Sequence, residues 1–194
     1  MTTLILARHA HSTYNEMGLY TGQADAPLSV AGQAQALQMA KLLEGVRIDA
    51  VYTSDLCRTG QTVAPTAAAH GLLPISDAGL REIDMGAFTG LAYAAVQERF
   101  PVEYAAFRAD ADTPAKGGES INGACARILA ALTRILAENE GKTVFVCSHA
   151  LTCRLVHALA SGKTLACVMQ SPVPANATPV YYRFTEGRFS PLDQ

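Results

Sequence analysis

Apolar residues along this chain fall into short unbroken runs, separated by longer stretches in which they recur every three or four positions. Thr3 to Ala7 is a short, almost wholly apolar run that leads into the polar segment Arg8 to Leu28. Such a run is the mark of a parallel strand covered on both faces. Ser29 reads as an N-cap, with Val30, Ala34, Leu37, Ala40 and Leu43 at helical spacing up to a stop at Gly45. Ile48 to Thr53 predicts a second buried strand, and Ser54-Asp55 a cap for a helix running through Thr59, Thr62, Val63 and Ala67 to His70-Gly71. The middle, Leu80 to Pro114, is less regular, and Pro101 and Pro114 interrupt any long helix there. Glu119 to Glu140 places Ile121, Cys125, Ile128, Leu132 and Ile135 on one helical face, Thr143 to Cys147 is a strand, and Leu151 to Leu159 a helix. Pro179 to Phe184 and the residues from Arg188 onward predict a closing hairpin around Glu186-Gly187 at the sheet's edge.

Repeated strand-then-helix order favours right-handed crossovers, and so an α/β fold in three layers: a mostly parallel sheet with an antiparallel edge strand and helices on both faces. With 194 residues, 49% of them hydrophobic, the chain can close one substantial core. No repeat or linker divides it, so the expectation is a single domain over 1–194, with a lid-like irregular region at about 84–116. A formal net charge of −2 provides no global field for nucleic acid or an anionic membrane surface. No apolar run approaches the roughly 18 residues of a spanning helix. Met1 to Ala7 lacks the basic and long apolar regions of an export signal and is expected to be a buried strand. Cys57, Cys125, Cys147, Cys153 and Cys167 form no CxxC pair and are odd in number, which fits a reducing cytoplasm better than a disulfide framework. Nothing in the residues sets the oligomeric state; a homodimer is open to it.

In open parallel sheets ligands bind beyond the carboxyl ends of the strands. Arg8-His9-Ala10-His11 follows the first strand, Ser54-Asp55-Leu56-Cys57-Arg58 the second, and Ser148-His149 the strand from Thr143. Two arginines and at least two histidines therefore converge on one edge. Guanidinium groups can hold a phosphoryl dianion in a fixed fork while an imidazole attacks phosphorus. Each residue alone reads more readily as a structural hydrogen-bonder or a surface residue; four at three strand ends read as an anion site. Such chemistry also needs a proton donor for the leaving oxygen. Glu82 and Asp84 are both candidates, and composition does not separate them. His9-x-His11 is a weak metal pair and His70 and His157 sit on helices, so no metal and no cofactor is expected.

These residues carry a resemblance. Arg8-His9-Ala10-His11-Ser12-Thr13-Tyr14-Asn15 resembles the RHG signature of the histidine phosphatase superfamily, in its phosphoglycerate mutase-like branch. The segment Tyr20 to Ser29 with Gly32 and Gln35-Ala36 is similar to the family's second block, and Ser54 to Thr62 to its SxLxRxxQT block. Leu80 to Gly90 and Gly117-Gly118-Glu119-Ser120 resemble the acid and GES blocks, and Ser148-His149-Ala150 with Arg154 the second-histidine block. They stand in the expected order over residues 3 to about 178. The resemblance implies a phosphoglycerate mutase-like fold with His9 as nucleophile, Arg8 and Arg58 as phosphate clamp, His149 as a further donor to the phosphoryl oxygens, and Glu82 rather than Asp84 as acid and base. Asn15, the backbone around Thr21 and Gly22, and Ala150 would line the pocket. Ala10 and Ala150 stand where the family usually has Gly, and His11 where Glu or Gln is commoner; a slightly altered pocket floor is expected.

The function these readings imply is hydrolysis of a small-molecule phosphate ester through phosphohistidine. The family's mutases carry a long insertion after the acid residue with extra basic ligands, whereas here Glu82 to Gly117 offers only Arg99, Arg108 and Lys116. The alternatives are a cofactor-dependent phosphoglycerate mutase-type transferase and a non-catalytic module that binds a phosphorylated ligand. A cysteine phosphatase built on Cys147 is disfavoured, because one residue too many separates it from Arg154. Tyr93, Phe100, Tyr104, Phe107 and Arg108 are expected to roof the pocket and to suit a partly apolar leaving group.

Overall fold

The first apolar run forms β1 (Thr2–Arg8), in a computed structural model that describes residues 1–192. The expected domain runs to Gln194, so its last two positions lie outside the described residues. Leu4 and Leu6 of β1 join Val144 and Val146 of β4 (Thr143–Ser148) in one core, while Ile5 and Ala7 join Phe145 and Cys147 in another. Successive side chains leave opposite faces of a strand, so strands covered on both sides must be apolar at every position. Between and around them run α1 (Thr13–Glu16), α2 (Val30–Leu42), β2 (Ala50–Thr53), α3 (Cys57–Ala69), β3 (Ile75–Ser76), α4 (Tyr93–Arg99), α5 (Pro101–Ala109), α6 (Ile121–Glu138), α7 (Ala150–Ala160), β5 (Pro179–Thr185) and β6 (Arg188–Pro191).

The sheet order is β3-β2-β4-β1-β5-β6. The first four strands are parallel; β5 pairs antiparallel with β1, and β6 antiparallel with β5. The antiparallel strand is thus one place in from the edge, and the expected hairpin puts β6 outermost. Its turn uses Glu186 and Gly187 at φ 50 and 77, the left-handed pair that matches strand twist. Arg8 lies opposite Ser148, and Thr53 opposite Cys147, so three carboxyl ends finish level. One face is covered by α6 and α7, whose Ile128, Leu132, Leu155 and Val156 are fully buried, and the other by α2 and α3. Among the described residues no helix is long and apolar enough to cross a membrane.

Three local expectations are corrected. The face of α2 drawn from Val30, Ala34, Leu37, Ala40 and Leu43 is largely outward: Val30 is 84% and Leu37 58% exposed, while Gly32, Ala36, Met39 and Leu43 are buried. Polar contacts with the loop after β1 set the helix's rotation. Ser29 N–H donates to the His11 carbonyl, the Gln35 side chain accepts from His11 N–H, and a Cβ at Gly32 would lie 2.0 Å from the His11 oxygen. The cap of α3 is not Ser54-Asp55; the N–H of Cys57 donates to Asp25 at 2.7 Å, and Asp55 pairs with Arg81. The middle is more helical than expected, because Pro101 occupies the first position of α5, where its missing N–H has no partner to lose.

If backbone contact fixes α2, Gly32→Ala should destabilise the protein by about 1–3 kcal/mol through overpacking, whereas Leu37→Gln should change stability by no more than about 0.5 kcal/mol. Urea midpoints of the two variants measure this, and the reverse order would contradict the assignment.

Candidate active site

The level ends of β1 and β4 deliver His9 and His149 side by side, ring centroids 5.3 Å apart. The backbone that carries His9 is tied down from four directions. His9 N–H donates to the Ser148 carbonyl, Asn176 Nδ2 to the His9 carbonyl, Ala177 N–H to the Arg8 carbonyl, and Ala10 N–H to Thr62 Oγ1. Ala177 adopts φ 52 to do so, a conformation unfavourable for a residue with a Cβ.

The His9 ring is only 4% exposed, and its Nδ1 lies 2.7 Å from the Ala10 carbonyl. A carbonyl can only accept, so Nδ1 carries the proton and Nε2 presents a lone pair. Burial above all, then the charges of Arg58, Arg8 and His11, bring its pKa down to about 3 against an opposing contribution from the Ala10 bond. The ring is neutral across the physiological range. Arg58 is fully buried, donating from Nη1 to the Ala24 carbonyl at 2.7 Å and from Nη2 to the Gly22 carbonyl at 2.8 Å. Its Nη2 also meets His149 Nδ1 at 3.2 Å. A guanidinium has no acceptor, so His149 Nδ1 accepts and its Nε2 donates to Ser54 Oγ, 2.8 Å away. Burial and the neighbouring Arg58 hold this second ring neutral as well. The Nε atoms of Arg8 and Arg58 are buried without a partner. Unsatisfied buried donors on a cation are costly.

Glu82 closes the other side, its Oε1 accepting from Ile83 N–H at 3.0 Å and its Oε2 from Ala150 N–H at 3.1 Å. The second bond satisfies an otherwise free donor at the start of α7. Asp84 instead folds back on Gly86 N–H in a turn, outside the cavity. A cavity of about 440 Å³ opens above these groups, and its wall includes Arg8, His9, Asn15, Thr21, Gly22, Arg58, Glu82 and Ala150. His149 stands beneath the wall, behind Arg58 and His9, with both nitrogens bonded. Of the expected roof, Tyr93, Tyr104, Phe107 and Arg108 line the cavity, while Phe100 packs on Phe88. Neither Ala10 nor Ala150 has a positive φ, so the methyl groups cost no backbone strain. Ala10 joins the core rather than the cavity floor, and His11 turns to Ser29. Cys147 is fully buried in β4, and burial raises its thiol pKa strongly, which removes it as a nucleophile.

The profile of the histidine phosphatase superfamily (branch 1) matches residues 4–193. The chain belongs to that superfamily. It is 34% identical over 170 residues to phosphoserine phosphatase 1 of Hydrogenobacter thermophilus, covering 86% of this chain and 79% of that protein. It is 33% identical over 195 residues to the 2,3-bisphosphoglycerate-dependent phosphoglycerate mutase of Rhizobium etli, with 94% and 91% covered. The solved structure of Bacillus stearothermophilus YhfR superposes with a TM-score of 0.90 at 26% identity, covering 98% of this chain and 95% of that one. The chain is an enzyme of the phosphatase type.

Sequence reasoning missed the residues that hold this histidine phosphatase site through backbone groups. Arg127 of α6 binds Glu119 through both its Nε and Nη2, and donates to the carbonyls of Gly79, Arg81 and Glu82. Gln23 adds a bond to the Glu82 carbonyl. Tyr20, bonded to Tyr104 at 3.1 Å, lines the cavity too. The sequence held one signal for Arg127: a charge inside the amphipathic pattern of α6, two turns beyond the expected Gly-Glu-Ser block.

Folded His9 binds a proton only near pH 3, while an unfolded histidine binds one near 6.5. The unfolded chain therefore holds more protons between those values. The group's contribution to stability is complete above about pH 6.5 and falls on acidification toward 3, by about 1.4 kcal/mol per pH unit. The His9 ring should show no NMR titration from pH 5 to 8; a midpoint near 6.5 would contradict a buried neutral ring.

Proposed function

We propose that the protein hydrolyses small-molecule phosphate monoesters through a phosphohistidine on His9. The observation that carries this reading is that Arg8, Arg58 and Glu82 share one cavity wall with a neutral imidazole whose Nδ1 proton is fixed by a carbonyl. Arg8 and Arg58 grip the phosphoryl oxygens, and Nε2 of His9 attacks phosphorus in line. The P–N bond forms as the P–O bond to the leaving group breaks, and Glu82 gives its proton to the departing oxygen. Water then attacks the phosphohistidine, Glu82 takes its proton, and phosphate leaves with His9 restored to its neutral form. Positioning and charge supply most of the rate in such transfers. Asn15, the backbone at Thr21 and Gly22, and Ala150 shape the rim. His149 acts on the phosphoryl group through Arg58, whose Nη2 it holds. The helices α4 and α5 form the lid of a single domain, and the aromatic wall favours a leaving group with an apolar body. The five unpaired cysteines suit a cytoplasmic enzyme.

The mutase relative keeps a second reading open to test: 3-phosphoglycerate with a bisphosphate primer should give far less isomerised product than free phosphate. His9→Ala should abolish both turnover and the acid-labile phosphoenzyme, and Arg58→Ala should lower kcat/KM by about 10²- to 10³-fold, by analogy with loss of one charge-stabilising donor. In Glu82→Gln, 4-nitrophenyl phosphate, whose leaving group needs no proton, should give a burst of nitrophenol followed by slow release of phosphate. Unchanged steady-state turnover without a burst would remove Glu82 from the mechanism.

A further inference from the structure

Gln23 sits between the two residues whose carbonyls hold Arg58, which donates from Nη2 to Gly22 at 2.8 Å and from Nη1 to Ala24 at 2.7 Å. The side chain of Gln23 donates from Nε2 to the Glu82 carbonyl at 3.1 Å, with a longer approach of 3.5 Å to Glu119 Oε2. One residue therefore joins the segment that orients Arg58 to the segment that carries Glu82. The joint acts on a particular peptide. The carbonyl that Gln23 holds and the N–H of Ile83 belong to one planar unit, and that N–H donates to Glu82 Oε1 at 3.0 Å. A rotation of the plane would carry the N–H away from the carboxyl group it orients.

The amide of Gln23 has one possible orientation. Arg81 Nη1 donates to its Oε1 at 3.3 Å, and a guanidinium cannot accept, so the Nε2 end faces the Glu82 carbonyl. Arg81 is itself fixed by two bonds to Asp55, Nε to Oδ1 at 2.7 Å and Nη2 to Oδ2, in the segment between β2 and α3 that leads to Arg58. Arg127 supports the same Glu82 carbonyl at 3.2 Å from α6, so the loop keeps one anchor when Gln23 is replaced. We propose that Gln23 is a positioning residue that sets the Glu82 carboxyl group relative to Arg58 through the Glu82–Ile83 peptide, while Arg81 and Asp55 hold its amide in the working orientation. Gln23, Arg81 and Asp55 all lie outside the cavity lining, so they reach substrate through Glu82 and Arg58. The inference rests on the reading of Glu82 as proton donor and adds what keeps that donor in line with the clamp.

The test compares benzyl phosphate, whose alkoxide must be protonated as it leaves, with 4-nitrophenyl phosphate, whose leaving group needs no proton. Both present the same phosphoryl group to the clamp, so the ratio of their kcat/KM values isolates proton donation. Loss of one neutral hydrogen bond costs about 0.5–1.5 kcal/mol, so Gln23→Met should lower the benzyl-to-nitrophenyl ratio about 2- to 10-fold. Arg81 and Asp55 are partly exposed, so Arg81→Met probes the same chain without disturbing the core. It should give a smaller fall in the same direction, and the double variant should fall no further than Gln23→Met alone. In a Glu82→Gln background the Gln23 substitution should leave the ratio unmoved. Equal losses on both esters would give Gln23 a merely structural role and overturn the inference, as would a fall that persists in the Glu82→Gln background. If Glu82→Gln alone keeps the wild-type ratio, the proton-donor reading fails instead, whatever Gln23 does.

Discussion

The hydrogen bonds that join β1 to β4, with Arg8 opposite Ser148, govern the position of the residues that follow these strands at the cavity. Because the two strands end level, the next residue on each is a histidine and the rings meet at 5.3 Å. Because β2 pairs with β4 so that Thr53 faces Cys147, Ser54 is next in line and receives the His149 proton. A slip of one residue in either pairing would send the histidines to opposite faces of the sheet. The cost of a slip is high, since Leu4, Ile5, Leu6, Val144, Phe145 and Val146 are all fully buried, each by about 1.5–3 kcal/mol of apolar transfer.

The site set on that register is positive and largely dry, and the fold stabilises it with dipoles in preference to carboxylates. Arg58 has the carbonyls of Gly22 and Ala24, and Arg154 those of Met169 and Ser171. A carboxylate in either place would neutralise the guanidinium and compete with phosphate. Carbonyls orient it and leave its charge intact. Arg127, outside the cavity, does have an acidic partner, and its pairing with Glu119 anchors the backbone of the loop that carries Glu82. Cations that line the cavity and cations that brace the fold outside it thus differ in their partners.

That distinction also marks how far the sequence could be read. β1, β4, α6 and the closing hairpin were legible because each depends on the period of its own side chains, and the residues at the strand ends were legible because topology fixes where strand ends lie. The phase of α2 was not, because a glycine and two polar side chains dock it on the His11 backbone while Val30 and Leu37 remain in solvent. Nor was the cap of α3, supplied by Asp25 from 32 positions away. Arg127, Asn176 and Thr62 escaped for the same reason: each acts on a main-chain group distant in sequence, and no local pattern announces such a partner. The tautomers of His9 and His149 follow only from seeing which neighbours cannot donate or cannot accept.

The two histidines illustrate how similar environments yield different roles. Both are buried, both are kept neutral by desolvation and by Arg58, and they are close enough to share those influences. What separates them is the polarity of a single contact at Nδ1. In His9 it faces a carbonyl, so the proton sits there and Nε2 keeps its lone pair. In His149 it faces a guanidinium, so the proton moves to Nε2 and is tied to Ser54, leaving no lone pair for phosphorus. In the proposed mechanism, exchange of those two contacts would exchange nucleophile and support, which makes the backbone turn at Ala10, a residue that never enters the cavity, as much part of that chemistry as the ring beside it.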